Sequence, residues 1–145
     1  RNMDVELELM EAYHGGRHVL HVGQEQLALA LPPGMEDGHR IRVKGHGDAG
    51  KSGGDKGDLL VTFRVKAHAR FTRTGNDLHT TVVLSERIRA FGGDVLIPTP
   101  GDAVKISVEP GVHGRPQMRL AKRGFPVYDQ RGEFGDLIVT FIAAD

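Results

Sequence analysis

Residues 45–52, GHGDAGKS, fit the phosphate-binding pattern G-x-x-x-x-G-K-[ST]. In a functional P-loop, a strand leads into the glycine-rich turn and a helix follows, so that N–H groups and the helix dipole hold the phosphates. The strand is present, because RIRVK alternates Ile41 and Val43 with basic residues. The helix is missing, because GGDKGD follows Ser52 and glycine costs a helix about 1 kcal/mol relative to alanine. We therefore expect a strand-to-strand loop without a nucleotide site.

Other residue types that could do chemistry do not form a catalytic set. His18 and His21 are three residues apart in a strand-like stretch, so they point to opposite faces and do not readily chelate one ion. The chain has no cysteine, which excludes a disulfide, a thiolate metal site and a cysteine nucleophile. Asp58 and Asp136 each stand in a Gly-Asp-Leu, and we expect both to accept hydrogen bonds from loop N–H groups. The sequence predicts no catalytic residue, metal or cofactor, and the protein is not expected to be an enzyme.

Composition narrows the class of protein. The 145 residues suffice for one ordinary domain or two small ones. Basic and acidic residues both number 19, which argues weakly against a dedicated nucleic-acid binder. No apolar run approaches the roughly 20 residues that span a membrane, and no signal-peptide pattern opens the chain. We expect a cytoplasmic location without a membrane partner, and we expect a fragment of a longer protein, since RNMDVEL enters a strand pattern without an initiator methionine.

Period-two alternation of apolar and polar residues dominates the chain. It occurs in VELEL, which places Val5, Leu7 and Leu9 on one face, and again in LALAL and VKISV. Such alternation is typical of half-buried strands in antiparallel sheets. Only LMEAYHG and SERIRAFGG look helical, and each is one or two turns long and ends at glycine. The fold class is predicted to be mainly all-β.

An internal repeat organises these elements. Gly15 corresponds to Gly92 and Arg42 to Arg119, each with an offset of 77 positions, and GDLLVTFRV corresponds to GDLIVTFIA. We therefore predict two similar units, residues 1–68 and 69–145, with a boundary near AHARF. A unit of about 70 residues buries only about 60% of its unfolded surface, so we expect function on a surface groove or a sheet edge.

The repeat and its turns resemble a known family, the C-terminal peptide-binding region of DnaJ-type (J-domain) co-chaperones. The residues that carry the resemblance are MEAYHGG, LPPGMEDGHRIRVKGHGD, GGDKGDLLVTFRVKAHARFTRTGNDL, IPTPGD, MRLAKRGFP and RGEFGDLIV. The run H-x-x-F-x-R-x-G-x-D-L, from His68 to Leu78, is especially specific. The resemblance implies two tandem small β-sandwich subdomains, each with one short helix. Only GQEQ joins Val22 to Leu27, and cysteine is absent, so the chain resembles the class without zinc fingers, as in curved-DNA-binding-protein-like members.

The resemblance implies a client-binding module in protein folding and the stress response. It would hold unfolded or extended apolar polypeptide by edge-strand addition and a shallow groove, for delivery to a DnaK-type ATPase. Carried over by position, the groove lining would be Met3, Val5, Leu20, Val22 and Val61. An alternative stays open, in which these residues are ordinary core, because sequence parity does not separate the two.

Further expectations concern partners. In related proteins, basic residues beside the groove hold the acidic tail of the DnaK-type partner, and Arg17 and His18 are the nearest candidates here. The alternative function is DNA binding through RIRVKGHG and RLAKRG, as in curved-DNA-binding relatives. The J domain and the dimerisation segment of the family are absent from this sequence. We therefore expect a monomeric fragment of a homodimeric full-length protein.

Overall fold

The computed structural model describes residues 1–48 and 56–144. This part of the chain contains eleven strands and two six-residue helices, which confirms the mainly β fold. The chain divides into two compact units, Arg1–Ala67 and His68–Asp145. The predicted boundary lies one residue further along. Among the described residues, no helix is long and apolar enough to cross a membrane.

The first unit contains two sheets. Its elements are β1 (Asn2–Leu7), α1 (Leu9–His14), β2 (Gly16–Val22), β3 (Glu25–Leu31), β4 (Arg40–Val43) and β5 (Leu59–Val65). β1 pairs in parallel with β5, and β4 pairs with the other side of β5 in an antiparallel manner. β2 and β3 form an antiparallel two-stranded sheet. β5 is therefore central in its sheet, and β1 lies at an edge.

The second unit repeats this topology and adds one strand. Its elements are β6 (Thr72–Thr74), β7 (Asp77–Leu84), α2 (Glu86–Phe91), β8 (Gly93–Ile97), β9 (Val104–Val108), β10 (Gln117–Leu120) and β11 (Leu137–Ala143). β7 pairs in parallel with β11, β10 pairs with β11, and β8 pairs with β9, as in the first unit. The added strand, β6, pairs with the first three residues of β7. The corresponding strands of the two units therefore pair in the same way.

Each unit has a core formed by the apolar rows that alternation predicts. In β1, Val5 and Leu7 are buried whereas Glu6 between them is exposed. In β5, four of the first five residues are buried. This strand has a neighbour on each side, and its alternate residues Leu59, Val61 and Phe63 face the core. In the second unit, Leu137, Val139 and Phe141 of β11 form the corresponding buried row.

Leu9 belongs to two overlapping predictions, the strand VELEL and the helix LMEAYHG. It starts α1 rather than continuing the strand. The reason is the pair Glu8 and Glu11, since the backbone N–H of Glu8 donates to Oε1 of Glu11 at 2.9 Å and stabilises the first turn. The helix ends where the N–H of Gly15 donates to the carbonyl of Glu11 at 2.9 Å. Leu9 remains buried, so it is part of the core although it lies in the helix.

Residues 68–78 begin the second unit and contain β6 and the start of β7. Nδ1 of His68 accepts the N–H of Phe71 at 3.2 Å, and the two rings stack with centroids 5.3 Å apart. The guanidinium of Arg73 lies 3.9 Å from the centre of the buried Phe125 ring, in a cation–π contact. Gly75, at φ 61°, makes the turn between β6 and β7. The motif residues therefore have structural contacts of their own.

Gly15 offers a test of how tightly α1 approaches β3. A Cβ at Gly15 would lie 2.5 Å from the carbonyl oxygen of Leu31, whereas a Cβ at Gly23, which has nearly the same positive φ, would meet nothing within 4 Å. Gly23→Ala should cost about 1–2 kcal/mol, the cost of a positive φ. Gly15→Ala should cost clearly more, because the backbone of β3 must also shift. Urea unfolding of both variants measures the difference, and equal losses of stability would contradict the close approach.

Candidate functional site

The first unit has open strand edges. β1 has β5 on one side only, and β2 has β3 on one side only. Within residues 1–48 and 56–144, no strand pairs with the outer edge of either one. An unpaired edge presents N–H and C=O groups that an extended chain can bind as an added strand. The unit therefore has the backbone geometry that strand addition requires.

The five predicted groove residues lie on both sheets of the first unit. Met3 and Val61 are register partners in β1 and β5, and Val5 is two residues along β1 on the same face. Leu20 and Val22 are two residues apart in β2 and share its buried face. Val61 is fully buried, Leu20 is 3% exposed, and Val5 and Val22 are each 9% exposed. Met3 is half-buried and is the most accessible of the five.

Arg17 and His18 line a surface pocket of about 250 Å³ where α1 meets β2. Met10 and Leu31 give this pocket apolar walls, and Glu11 also contributes to its lining. Nδ1 of His18 lies 3.9 Å from Oε2 of Glu11. The Glu11 carboxylate therefore offsets part of the positive charge that Arg17 brings to the pocket.

An exposed ionic cluster lies at the end of the β2–β3 hairpin, next to Val22. Oε1 of Glu25, the register partner of Val22, accepts a hydrogen bond from Nζ of Lys56 at 3.1 Å. Nδ1 of His46 is 3.1 Å from Oε2 of the same carboxylate. The hydrogen bond from Lys56, and then that with His46, lowers the pKa of Glu25. The sequence does not reveal this cluster, because its members are separated by 21 and 31 positions.

The duplicated aspartates hold the loops that precede β5 and β11. Oδ1 of Asp58 accepts the N–H of Gly45 at 3.3 Å, and Oδ1 of Asp136 accepts the N–H of Lys122 at 3.0 Å. Nη1 of Arg119 donates to Oδ2 of Asp136 at 2.8 Å. The Lys122 N–H, and then Arg119, lowers the pKa of the Asp136 carboxyl. These contacts confirm the predicted structural role.

The phosphate-binding pattern is only partly covered by the structure. The N–H of Gly45 donates to Asp58, and the N–H of Gly47 donates to the carbonyl of Gly57 at 2.8 Å. Gly50, Lys51 and Ser52 lie outside the described residues, so the absence of a nucleotide site stays a prediction. In the parts of the chain that are described, no group of three His, Asp or Glu side chains could hold a metal ion.

Comparison with known proteins gives a consistent result over the whole chain. The family profile described as DnaJ C terminal domain matches residues 1–144. The chain is similar to Chaperone protein DnaJ of Caldicellulosiruptor bescii, with 35% identity over 119 residues, 82% of this chain and 30% of that protein. It is 37% identical over 114 residues to Chaperone protein DnaJ of Anaplasma marginale (strain Florida), covering 78% of this chain and 30% of that protein. It is 39% identical over 117 residues to Chaperone protein DnaJ of Beijerinckia indica subsp. indica, covering 80% of this chain and 31% of that protein.

Asp136→Asn tests the electrostatic part of the loop contact. Because the pKa of Asp136 is lowered in the folded state, its charge stabilises the fold above the unfolded pKa of about 3.9, and this contribution is lost as pH falls through the folded value. The variant should therefore be less stable than the wild type at pH 7, and the deficit should shrink toward pH 2. Urea midpoints at both pH values measure this, with Asp102→Asn, a change at an exposed carboxylate of the same unit, as control. A deficit that does not change with pH would contradict an electrostatic role.

Proposed function

This chain belongs to the DnaJ C-terminal domain family, and from that premise we propose that it is the client-binding part of a co-chaperone. The first unit holds an unfolded or extended apolar polypeptide, which the full-length protein then delivers to a DnaK-type ATPase in the cytoplasm. The chain spans about 30% of the length of its relatives, so the activity and partners of the whole protein are part of the proposal. The observation that carries it is the open edge of β1, with half-buried Met3 beside fully buried Val61.

Main-chain pairing accounts for broad client binding. A client strand that adds to the β1 edge bonds to backbone groups of residues 2–7, and these groups are the same whatever the client sequence. β1 is already paired with β5 in a three-stranded sheet, so a client strand added to β1 would extend this sheet to four strands. A strand added to an existing sheet is stabilised more readily than an isolated hairpin, because three or more strands share an apolar face.

Apolar contacts supply the second part of the binding energy. A client side chain that reaches the apolar face meets Met3 before it meets the more deeply buried Val5 and Val61. Each apolar contact contributes about 25 cal/mol per Å² removed from water. Methionine suits this position because its flexible, polarizable side chain adapts to different client residues. The contact is shallow, since the other four predicted lining residues are at most 9% exposed.

The pocket of Arg17 and His18 supports the proposed contact with an acidic tail of the partner ATPase. Arg17 provides a permanent positive charge, and Met10 and Leu31 provide apolar contact within the same pocket. Glu11 opposes the binding of an acidic peptide, because its carboxylate lies 3.9 Å from the His18 ring. We therefore expect weak and salt-dependent binding.

The structure does not favour the DNA-binding alternative. Nε of Arg42 lies 3.9 Å from a carboxylate oxygen of Asp58, and Nη1 of Arg119 contacts Asp136 at 2.8 Å and Asp77 at 3.7 Å. These arginines belong to the two basic segments that were the candidates for phosphate contacts. Their carboxylate partners compete with DNA phosphates for the same guanidinium groups.

Met3→Asp should weaken the binding of an extended apolar peptide at least fivefold while leaving the fold intact. The position is half-buried, so a carboxylate there stays partly hydrated but removes the dry contact with the client. Val19→Asp is the matched control, because Val19 is 43% exposed and lies on the opposite face of β2 from Leu20. Fluorescence anisotropy with a labelled peptide and thermal melting give the two readouts. Wild-type affinity in a folded Met3→Asp variant would place the client elsewhere.

Substitutions at Val61, which is fully buried, and at Val22 distinguish groove residues from core residues. Val61→Asp should unfold the first unit, because an unpaired buried carboxylate costs several kcal/mol. Val22→Asp, at a position 9% exposed, distinguishes the two roles: a folded variant with weakened peptide binding supports a groove position, whereas unfolding assigns Val22 to the core. Amide hydrogen exchange, resolved by unit, reports the unfolding.

Arg17→Glu should abolish binding of an acidic peptide without changing the affinity for a neutral apolar peptide. Glu11→Gln should strengthen acidic-peptide binding two- to fivefold, because it removes the opposing carboxylate and retains an oxygen that can accept the Glu8 N–H. Titrations at two salt concentrations check the electrostatic origin, which predicts weaker binding at the higher one. If neither substitution changes acidic-peptide affinity, the pocket is not the site of tail binding.

A further inference from the structure

The second unit has a polar surface pocket that the sequence did not predict. It has a volume of about 600 Å³, and its lining includes His68, Arg70, Thr72, His79, Thr81 and Thr140. All of these residues belong to the second unit. The pocket is distinct from the residues proposed to bind client polypeptide, which are all in the first unit. It does not depend on that proposed function.

Sheet register places four of these side chains on one face. Thr72 and His79 are register partners in β6 and β7, and Thr81 and Thr140 are register partners in β7 and β11. His79 and Thr81 are two residues apart in β7, so their side chains lie on the same side of the sheet. The result is a row of hydroxyl and imidazole groups across three neighbouring strands. Nε2 of Gln117 donates to Oγ1 of Thr140 at 3.1 Å, which leaves the hydroxyl proton of Thr140 for another acceptor.

The backbone of Arg70 is fixed on both sides. Its N–H donates to Nδ1 of His68 at 3.0 Å, and its carbonyl accepts the hydroxyl of the buried Thr80 at 3.1 Å. Since Nδ1 of His68 accepts hydrogen bonds from the backbone, the neutral ring carries its proton on Nε2. His68 is thereby a hydrogen-bond donor, and Arg70 is anchored at the pocket by its main chain.

The charge of the pocket is positive. None of its described lining residues is acidic. Among the described residues, no carboxylate forms an ion pair with Arg70. The pocket therefore combines one guanidinium fork, two imidazole rings and the hydroxyls of Thr72, Thr81 and Thr140 without an internal counter-ion, while the hydroxyl of Thr80, which also lines it, donates to the Arg70 carbonyl. This donor set matches an oxyanion with several acceptor oxygens.

We propose that this pocket binds a phosphomonoester group carried by a polypeptide, such as a phosphoserine side chain. A phosphomonoester has a charge of about −1.5 to −2 and three strong acceptor oxygens, which use more of the donors than a carboxylate does. The volume lies within the roughly 300–1,000 Å³ of small-ligand sites, so the pocket accommodates a phosphate together with the residue that carries it. Its described lining contains no Phe, Tyr or Trp, so a nucleic-acid base would have only the His68 and His79 rings and the Arg70 guanidinium to stack on.

The test uses this chain with a neutral peptide that contains one phosphoserine, the same peptide with serine, and inorganic phosphate. In ¹⁵N-correlated NMR spectra at constant ionic strength, the phosphopeptide should shift the amides of Thr72, His79, Thr81 and Thr140 in a saturable way. The serine peptide should leave them unchanged at the same concentration. Inorganic phosphate should shift the same amides with at least fivefold weaker affinity.

Arg70→Gln should weaken phosphopeptide binding at least tenfold, because it removes the charge and the bidentate fork. Arg87→Gln is the matched control, since Arg87 is an exposed arginine of α2 in the same unit and does not line the pocket. Thr81→Val should weaken binding at least threefold, because it removes one hydroxyl at nearly constant shape. Thermal melting checks that each variant is folded, and the main-chain anchors of Arg70 do not involve its guanidinium.

Four results would overturn the proposal. They are unchanged binding in folded Arg70→Gln, equal binding of the serine and phosphoserine peptides, equal affinity for inorganic phosphate and the phosphopeptide, and tighter binding of a short single-stranded oligonucleotide than of the phosphopeptide at the same amides.

Discussion

The parallel pairing of β1 with β5 in the first unit, and of β7 with β11 in the second, is the constraint on which the rest of the structure depends. β1 pairs with β5 from Asn2 to Leu7, and β7 pairs with β11 over seven residues. This pairing joins the two ends of each repeat, so the intervening helix, hairpin and loop must lie between strands that are already fixed. It also makes β5 and β11 central, with β1 on the outer side of β5 and β7 on one side of β11. The edge of β1 is open because the described part of the first unit has no counterpart of β6, which covers β7 in the second unit.

The same closure explains the residues that recur in both units. Gly15 and Gly92 each end a short helix, and a Cβ at either one would lie 2.5 or 2.6 Å from a carbonyl oxygen of the following hairpin. Asp58 and Asp136 each hold a loop N–H just before the closing strand. These residues fix the backbone, and side chains at other positions are free to differ. That freedom allows an accessible methionine in one unit and a polar pocket in the other.

Local features of the fold could be predicted from the sequence, whereas long-range ones could not. Alternation indicated the strands, and glycine indicated the ends of both helices, because these signals depend on near neighbours. Leu9 fitted both the strand VELEL and the helix LMEAYHG, and the contact between Glu8 and Glu11 that favours the helix is not part of the apolar period. Parallel pairing, the cluster around Glu25 and the pocket of Arg70 depend on residues far apart in sequence. The exposure of Met3 relative to Val61 could not be predicted either, because the two residues are register partners on the same face of the sheet.

The alternating acidic residues of β1 have a consequence for self-association. Asp4 and Glu6 are exposed between the apolar residues of this edge strand. Two copies of the chain that met edge to edge would bring their Glu6 carboxylates close together, and like charges on adjoining strands repel, whereas Asp4 is partly neutralised by Nε of Arg64 at 4.0 Å. An apolar or basic segment of another chain would meet no such repulsion. The edge can therefore remain open to other polypeptides while it resists the fibre-like stacking to which unprotected sheet edges are prone.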